Sequence, residues 1–515
     1  MKRTPFTATG SLNQMIQAAE KAWAFKDYQG AIKSLQSASR LAPANTSVLL
    51  RLGSMSGLRY DYSTAERCFE KALRLTPKKN EIIKDIISHC LIFRNLDLAE
   101  HYLRHALAQP EATPQTCTQL AELYERLRRV PEAVQLVERA LTSNPSYPAA
   151  LLVRARLERL AGKLDEAEQT LRSFITQTNL DTWTHAQAWY ELATVLDRHE
   201  KYDEAMAAFL KAKLLLLPQA PGYLQALKQT RAYLKVMEEN VSADLLRRWF
   251  ENGPVLPPSR RLALLCGHAR SGTTLLEQIL DAHPDIVSAE ETRTMLDEAY
   301  SPLARRMPPG AGMLDILELA TNPGLQQSRA AYFRSMDLEI GGPVGHRLLL
   351  DKNPVINCLI PAFVRIFPET KFLVALRDPR DVVLSCFMQP HPLNTVTAAY
   401  LSLEGTAEDY TAVMSLWRTL APLMPSPYLE VRYEDMVADL ESVARKTLNY
   451  LGVPWNERVL GFNEHARQKL VRTPTYADVT QPIYQRARGR WRNYQKYLEP
   501  HLEPLEPFVK MFGYD

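Results

Sequence analysis

The chain has 515 residues, 46% of them hydrophobic and 23% charged, with a net charge of +4. That length exceeds one ordinary domain and predicts two or three. The near-neutral balance excludes a global field for nucleic acid or a membrane surface, so any anion site must be local.

The opening stretch "MKRTPFTATGSLNQ" has basic residues but no apolar run behind them, which argues against a secretory signal. No run reaches the length of a membrane-spanning helix. Six cysteines, at 68, 90, 117, 266, 358 and 386, lie scattered without metal-ligand spacing. Reduced, buried thiols in a cytoplasmic protein are the expectation.

The first 218 residues repeat. Alanines stand at 31, 65, 99, 133 and 167, and a second series follows at 38, 72, 106 and 140, with Phe174 next. Ala205 and Ala212 resume both series after a four-residue insertion. Small residues at a fixed 34-residue period let paired helices approach closely, and each pair buries its apolar face only by stacking on the next. The period resembles tetratricopeptide repeats, about six of them over residues 11–218. Such a solenoid implies a concave surface for a peptide or protein, or self-association as a homodimer. Residues 219–254 read as a helical linker that ends in the proline-rich "ENGPVLPPSRR", where a second domain, 255–515, begins.

The second domain opens with "RLALLCG", a buried strand. The loop Gly267-His268-Ala269-Arg270-Ser271-Gly272-Thr273-Thr274 and the helical "TLLEQILDAH" follow. Strand, glycine-bounded loop and helix form half of a parallel α/β unit whose backbone N–H groups would cradle an anion. Thr273 stands where a nucleotide triphosphatase carries lysine, which weakens a kinase or ATPase reading. Arg270 adds a forked cationic donor. "KFLVALRD" is a further strand, after which Asp378 caps a helix, so Arg377 and Ser385 reach one anion. Glu290 and Glu291 are adjacent; on an extended strand they would face opposite ways. Lys352 ends another strand-like run, and His268 and His283 read as structural.

Five ordered stretches, "GHARSGTT", "DAHPDIVSAEETR", "DKNP", "KFLVALRDPRDVVLSCF" and "TPTYADVTQPIYQRARGRW", resemble sulfotransferases, in particular the tyrosylprotein sulfotransferases and proteins that fuse tetratricopeptide repeats to that domain. The resemblance covers about residues 255–515. It implies an α-solenoid followed by a P-loop-like α/β sulfotransferase domain with a parallel sheet. It also implies 3′-phosphoadenosine-5′-phosphosulfate (PAPS) as co-substrate, with no metal. Glu291 is implied as catalytic base, with Lys352, Arg270 and Thr475 beside it. Arg270, Ser271, Gly272, Thr273 and Thr274 are implied for the 5′ end of the donor, and Arg377, Ser385, Tyr433 and Arg490 for the rest. A free carboxyl and a phenol differ by about six pKa units, or about 8 kcal/mol, so the phenol's proton must leave late, as its oxygen bonds to sulfur. The expected acceptor is a tyrosine of a peptide or protein presented by the repeats. A glycan, lipid or small-molecule hydroxyl is the alternative, and a repeat scaffold with a catalytically silent nucleotide-binding domain is a second. The expected source is bacterial and the location cytoplasmic.

Overall fold

The computed structural model describes residues 6–514 apart from 78, 110–111, 179, 254–255, 257–259, 309, 469–478, 482 and 484–485. The sequence places the domain break partly on residues outside this set. Twelve α-helices from Phe6–Ala24 to Tyr202–Leu216 pair into six antiparallel units. Ala31, Ala65, Ala99, Ala133 and Ala167 are fully buried where the helices meet, as are Ala205 and Ala212.

The repeat is also written in the backbone. Lys26, Tyr60, Arg94, Arg128 and Gly162 have positive φ, each 34 residues after the last; Glu200 follows after the insertion. Each stands one residue before the second helix of its unit begins to be capped. Asp27, Asp61 and Asn95 accept from the backbone N–H of Gly30, Thr64 and Leu98, satisfying a donor the helix cannot. The left-handed residue turns the chain tightly enough for the next helix to pack back.

Beyond the repeats, helices Pro221–Asn240 and Ala243–Glu251 lead to a five-stranded parallel sheet. Its strands are β1 (Leu262–Gly267), β2 (Ile286–Glu290), β3 (Leu348–Lys352), β4 (Lys371–Leu376) and β5 (Tyr428–Arg432), in the order β2-β3-β1-β4-β5. Strands covered on both faces should read as continuous apolar runs, and β1 is buried at every position. Side chains nevertheless sort with period two. Leu262, Leu264, Cys266, Phe372 and Val374 enter one core, and Ala263, Leu265, Leu373 and Ala375 the other. The first of these cores is continuous with the last two repeats, running from Leu152 to Tyr514. Chain order reverses beside β1, so a crevice opens at the carboxyl ends of the strands.

All six cysteines are unpaired, five of them buried. Among the described residues no helix is long and apolar enough to cross a membrane.

Candidate active site

Apart from Arg490, every described candidate site residue lies at, or just past, the carboxyl end of a strand or on the element that follows it. Past β1, the loop enters helix Thr273–Asp281 through Gly272, at φ 91°. A Cβ on Gly272 would lie 2.8 Å from the Tyr433 ring, and one on Gly267 would lie 2.4 Å from the Ala375 carbonyl oxygen. Both positions therefore require glycine. The Gly267 N–H donates to Asn357 Oδ1 at 3.2 Å, which anchors the loop's start. No side chain caps the helix; its N-terminus is buried, with Ser271, Thr273 and Thr274 around it. A buried N-terminus left uncapped by side chains is suited to an anion.

Arg270 and Glu291 are the non-glycine residues with positive φ in the second domain, at 70° and 53°, among the described residues. Backbone held in this region by non-glycine residues costs roughly 1–3 kcal/mol each and collects at working sites. Glu291 does not continue β2. Its N–H donates to the Lys352 carbonyl oxygen at 2.7 Å, and the chain turns there. The expectation that Glu290 and Glu291 face opposite ways therefore fails: strand alternation stops at Glu290, and both carboxylates approach Lys352.

Lys352 is wholly buried. Its Nζ donates to Glu291 Oε1 at 2.8 Å and lies 3.5 Å from Glu277 Oε2 and 3.6 Å from Glu290 Oε1. Burial opposes the charge, but Glu277, Glu291 and Glu290 outweigh it and raise the ammonium above its usual pKa. The Glu291 side chain keeps 31% of its exposure, so it faces the crevice while Glu277 lies beneath. Glu277 escaped the sequence reading. A glutamate on the apolar face of "TLLEQIL", between Leu276 and Leu280, was the available signal.

On the other side of β1, Arg270 Nε donates to Ser385 Oγ at 3.0 Å. Arg377 donates to the Arg270 carbonyl oxygen at 3.1 Å and to that of Ala487 at 2.6 Å, and stacks 4.8 Å from the Tyr433 ring. Arg270, Ser385, Arg377 and Tyr433 thus form one group. Arg490 does not join it: Asp197 of the last repeat holds its guanidinium at 2.6 Å. Thr475 lies outside the described residues. Asp381 brings the C-terminal segment to the site by accepting from the Gly489 and Trp491 N–H groups at 2.7 and 2.8 Å. A carboxylate in the first turn of a helix gave no hint of that partner.

The histidines are framework. Burial opposes a charge on His268, but its bonds to Asp409 and Cys386 prevail and push it up to about 10. His283 Nε2 bonds the Pro454 carbonyl oxygen at 2.9 Å.

Comparison with known proteins agrees with this architecture. Residues 263–457 match the model of the sulfotransferase family, and residues 118–181 and 186–215 match tetratricopeptide-repeat models. An uncharacterized protein of Aquifex aeolicus is 26% identical over 82% of this chain and 54% of its own length. Protein-tyrosine sulfotransferase 1 of Danio rerio is 27% identical over 49% of this chain and 72% of its own. The sulfotransferase domain of the Synechococcus PCC 7002 olefin synthase aligns at 22% identity and TM-score 0.35, over 50% of this chain and 98% of that domain. This chain spans about half the length of the Aquifex protein. The family matches thus place a sulfotransferase-like region at residues 263–457, after helical pairs that match tetratricopeptide repeats.

Proposed function

We infer that the protein transfers a sulfuryl group from PAPS, in line, to a tyrosine phenol of a peptide or protein. The observation that carries this reading is the pair of strained residues, Arg270 just past β1 and Glu291 just past β2, at the carboxyl edge of one sheet. The residues present fit such a donor: a buried helix N-terminus without a side-chain cap, beside two glycines that a Cβ would block. PAPS, when bound, supplies an activated sulfuryl group on a phosphate leaving group.

Backbone N–H groups of 272–274 and the Ser271, Thr273 and Thr274 hydroxyls bind the 5′ end of the donor without the lysine that a triphosphate needs. Arg377 and Ser385, at the end of β4 and on the helix after it, hold the 3′-phosphate, and Tyr433 buttresses Arg377. Arg270 lies between these two sites and stabilises charge leaving with the phosphate. Glu291 Oε takes the phenolic proton. Lys352 fixes the direction of that carboxylate and donates toward the departing oxygen. Thr475 is assigned a hydroxyl contact with the transferred group. Arg490, held by Asp197, contributes to the donor site by fixing the C-terminal segment.

Similarity to a protein-tyrosine sulfotransferase favours the phenol over a glycan or lipid hydroxyl. The test is Glu291→Ala, assayed with labelled PAPS and tyrosine peptides. Transfer is expected to fall about 10²–10⁴-fold, as for loss of a general base, while affinity for 3′-phosphoadenosine-5′-phosphate stays at the wild-type level. Undiminished transfer would remove Glu291 as the base.

A further inference from the structure

The second repeat departs from its siblings at its turn. The residue before the left-handed position is apolar in four units, Phe25, Phe93, Leu127 and Ala161, and is His199 in the last. In the second unit it is Arg59. The left-handed position itself holds Lys26, Arg94, Arg128, Gly162 and Glu200 elsewhere, but Tyr60 here, an aromatic residue at φ 68°. Neither exchange helps the solenoid. A cation replaces an apolar residue, and a bulky ring is forced into a conformation that costs it energy.

Both side chains reach the second domain. Arg59, only 9% exposed, donates to Glu298 Oε1 through Nε and one terminal nitrogen, at 3.1 and 2.7 Å. Its other terminal nitrogen donates to Asp297 Oδ2 at 2.9 Å. The Tyr28 ring of the first repeat covers the guanidinium at 4.6 Å. Tyr60 Oη accepts from the Arg293 N–H at 3.1 Å, two residues past Glu291. From within the second domain the same segment is held by Asn353, which donates to the Thr292 carbonyl oxygen at 2.9 Å. The stretch after Glu291 is thus gripped from one side by the sheet and from the other by the repeats. Without Arg59, the buried Asp297 would lie beside the half-buried Glu298 with Arg293 as a mostly exposed partner.

We propose that Arg59 and Tyr60 are positioning residues that hold the segment carrying Glu291, so the repeat domain sets the geometry of the base. This rests on the assignment of Glu291 above. The fork of Arg59 matters as well as its charge, since one guanidinium serves two carboxylates. A left-handed turn at Glu291 has no strand partner beyond it, so its angle depends on what pins residues 292–298.

The experiment compares wild type with Tyr60→Phe, Arg59→Met and Arg59→Lys. Tyr60→Phe deletes one hydroxyl and keeps the ring. Hydrogen exchange of the peptide spanning 291–300 is expected to quicken about tenfold in Tyr60→Phe and Arg59→Met, with the β1 and β4 peptides unchanged. With labelled PAPS and a tyrosine peptide, kcat is expected to fall at least about tenfold in both variants, with the dissociation constant of 3′-phosphoadenosine-5′-phosphate held near wild type, and with the melting temperature of Tyr60→Phe held there too while that of Arg59→Met falls. Arg59→Lys is expected to restore part of kcat. Wild-type exchange at 291–300 in both variants would overturn the proposal, and so would faster exchange with unchanged kcat. A wild-type protein that transfers nothing would count against the sulfotransferase assignment alone, and the exchange rates would still decide whether the repeats hold this segment.

Discussion

Lys352 carries one positive charge into a space shared with Glu277, Glu290 and Glu291. Next to it, Asp351 presents the opposite problem. It is wholly buried, its Oδ2 accepts from Tyr332 Oη at 2.7 Å, and its Oδ1 has no hydrogen-bond partner among the described residues. Burial raises its carboxyl to about 7, although the bond from Tyr332 pulls the other way. A carboxyl raised from 3.8 in this way keeps its proton in the folded state while the unfolded chain loses it. Stability from this group is therefore complete below about pH 4 and is lost as pH rises toward 7, by roughly 4 kcal/mol at most. Asp351→Asn keeps the shape and cannot ionise. The Asn variant is expected to gain melting temperature relative to wild type as pH goes from 5 to 8. A difference that stays flat over that range would show that Asp351 does not titrate there.

At the scale of elements, the period of the alanines located the repeat helices, and apolar runs followed by glycine or an Asx cap located β1 and β4. These signals are legible because burial and capping act on residues close in sequence. What escaped depends on backbone that leaves its regular form, or on partners far along the chain. Glu291 was read on an extended strand, but its left-handed turn brings it beside Glu290 at Lys352. Arg490 was read as a donor ligand, but Asp197, nearly 300 residues earlier, holds it. Asp381, which the sequence did not single out, serves the amides of Gly489 and Trp491. Arg59 and Tyr60 were not singled out from the sequence; their contacts with Arg293, Asp297 and Glu298 show where they point.

At the scale of the molecule, the repeats do not form a detachable accessory. The core that starts at Leu152 continues through the last repeat, where Phe209 meets Phe387, and ends at Tyr514. A separate core, Ala65 to Leu157, serves the earlier repeats. The seam therefore lies inside the solenoid, near residue 150, and not at the proline-rich break. A chain beginning at Tyr147 is expected to melt cooperatively and bind 3′-phosphoadenosine-5′-phosphate, but to turn over slowly because Arg59 and Tyr60 are gone. A chain beginning at Glu251 would expose Phe387, which Phe209 and Lys213 meet, and is expected to bind a hydrophobic dye and lack a sharp transition. Cooperative melting of that shorter chain near the wild-type temperature would contradict a shared core.

The uncapped loop after β1 is assigned the 5′ end of a 3′-phosphorylated adenosine donor. The most direct measurement is a calorimetric titration of the full chain without magnesium, with 3′-phosphoadenosine-5′-phosphate and separately with ATP. Tight binding of the first and weak binding of ATP is the predicted result. Binding of neither, or preference for ATP, would contradict the account and leave the domain without its assigned donor.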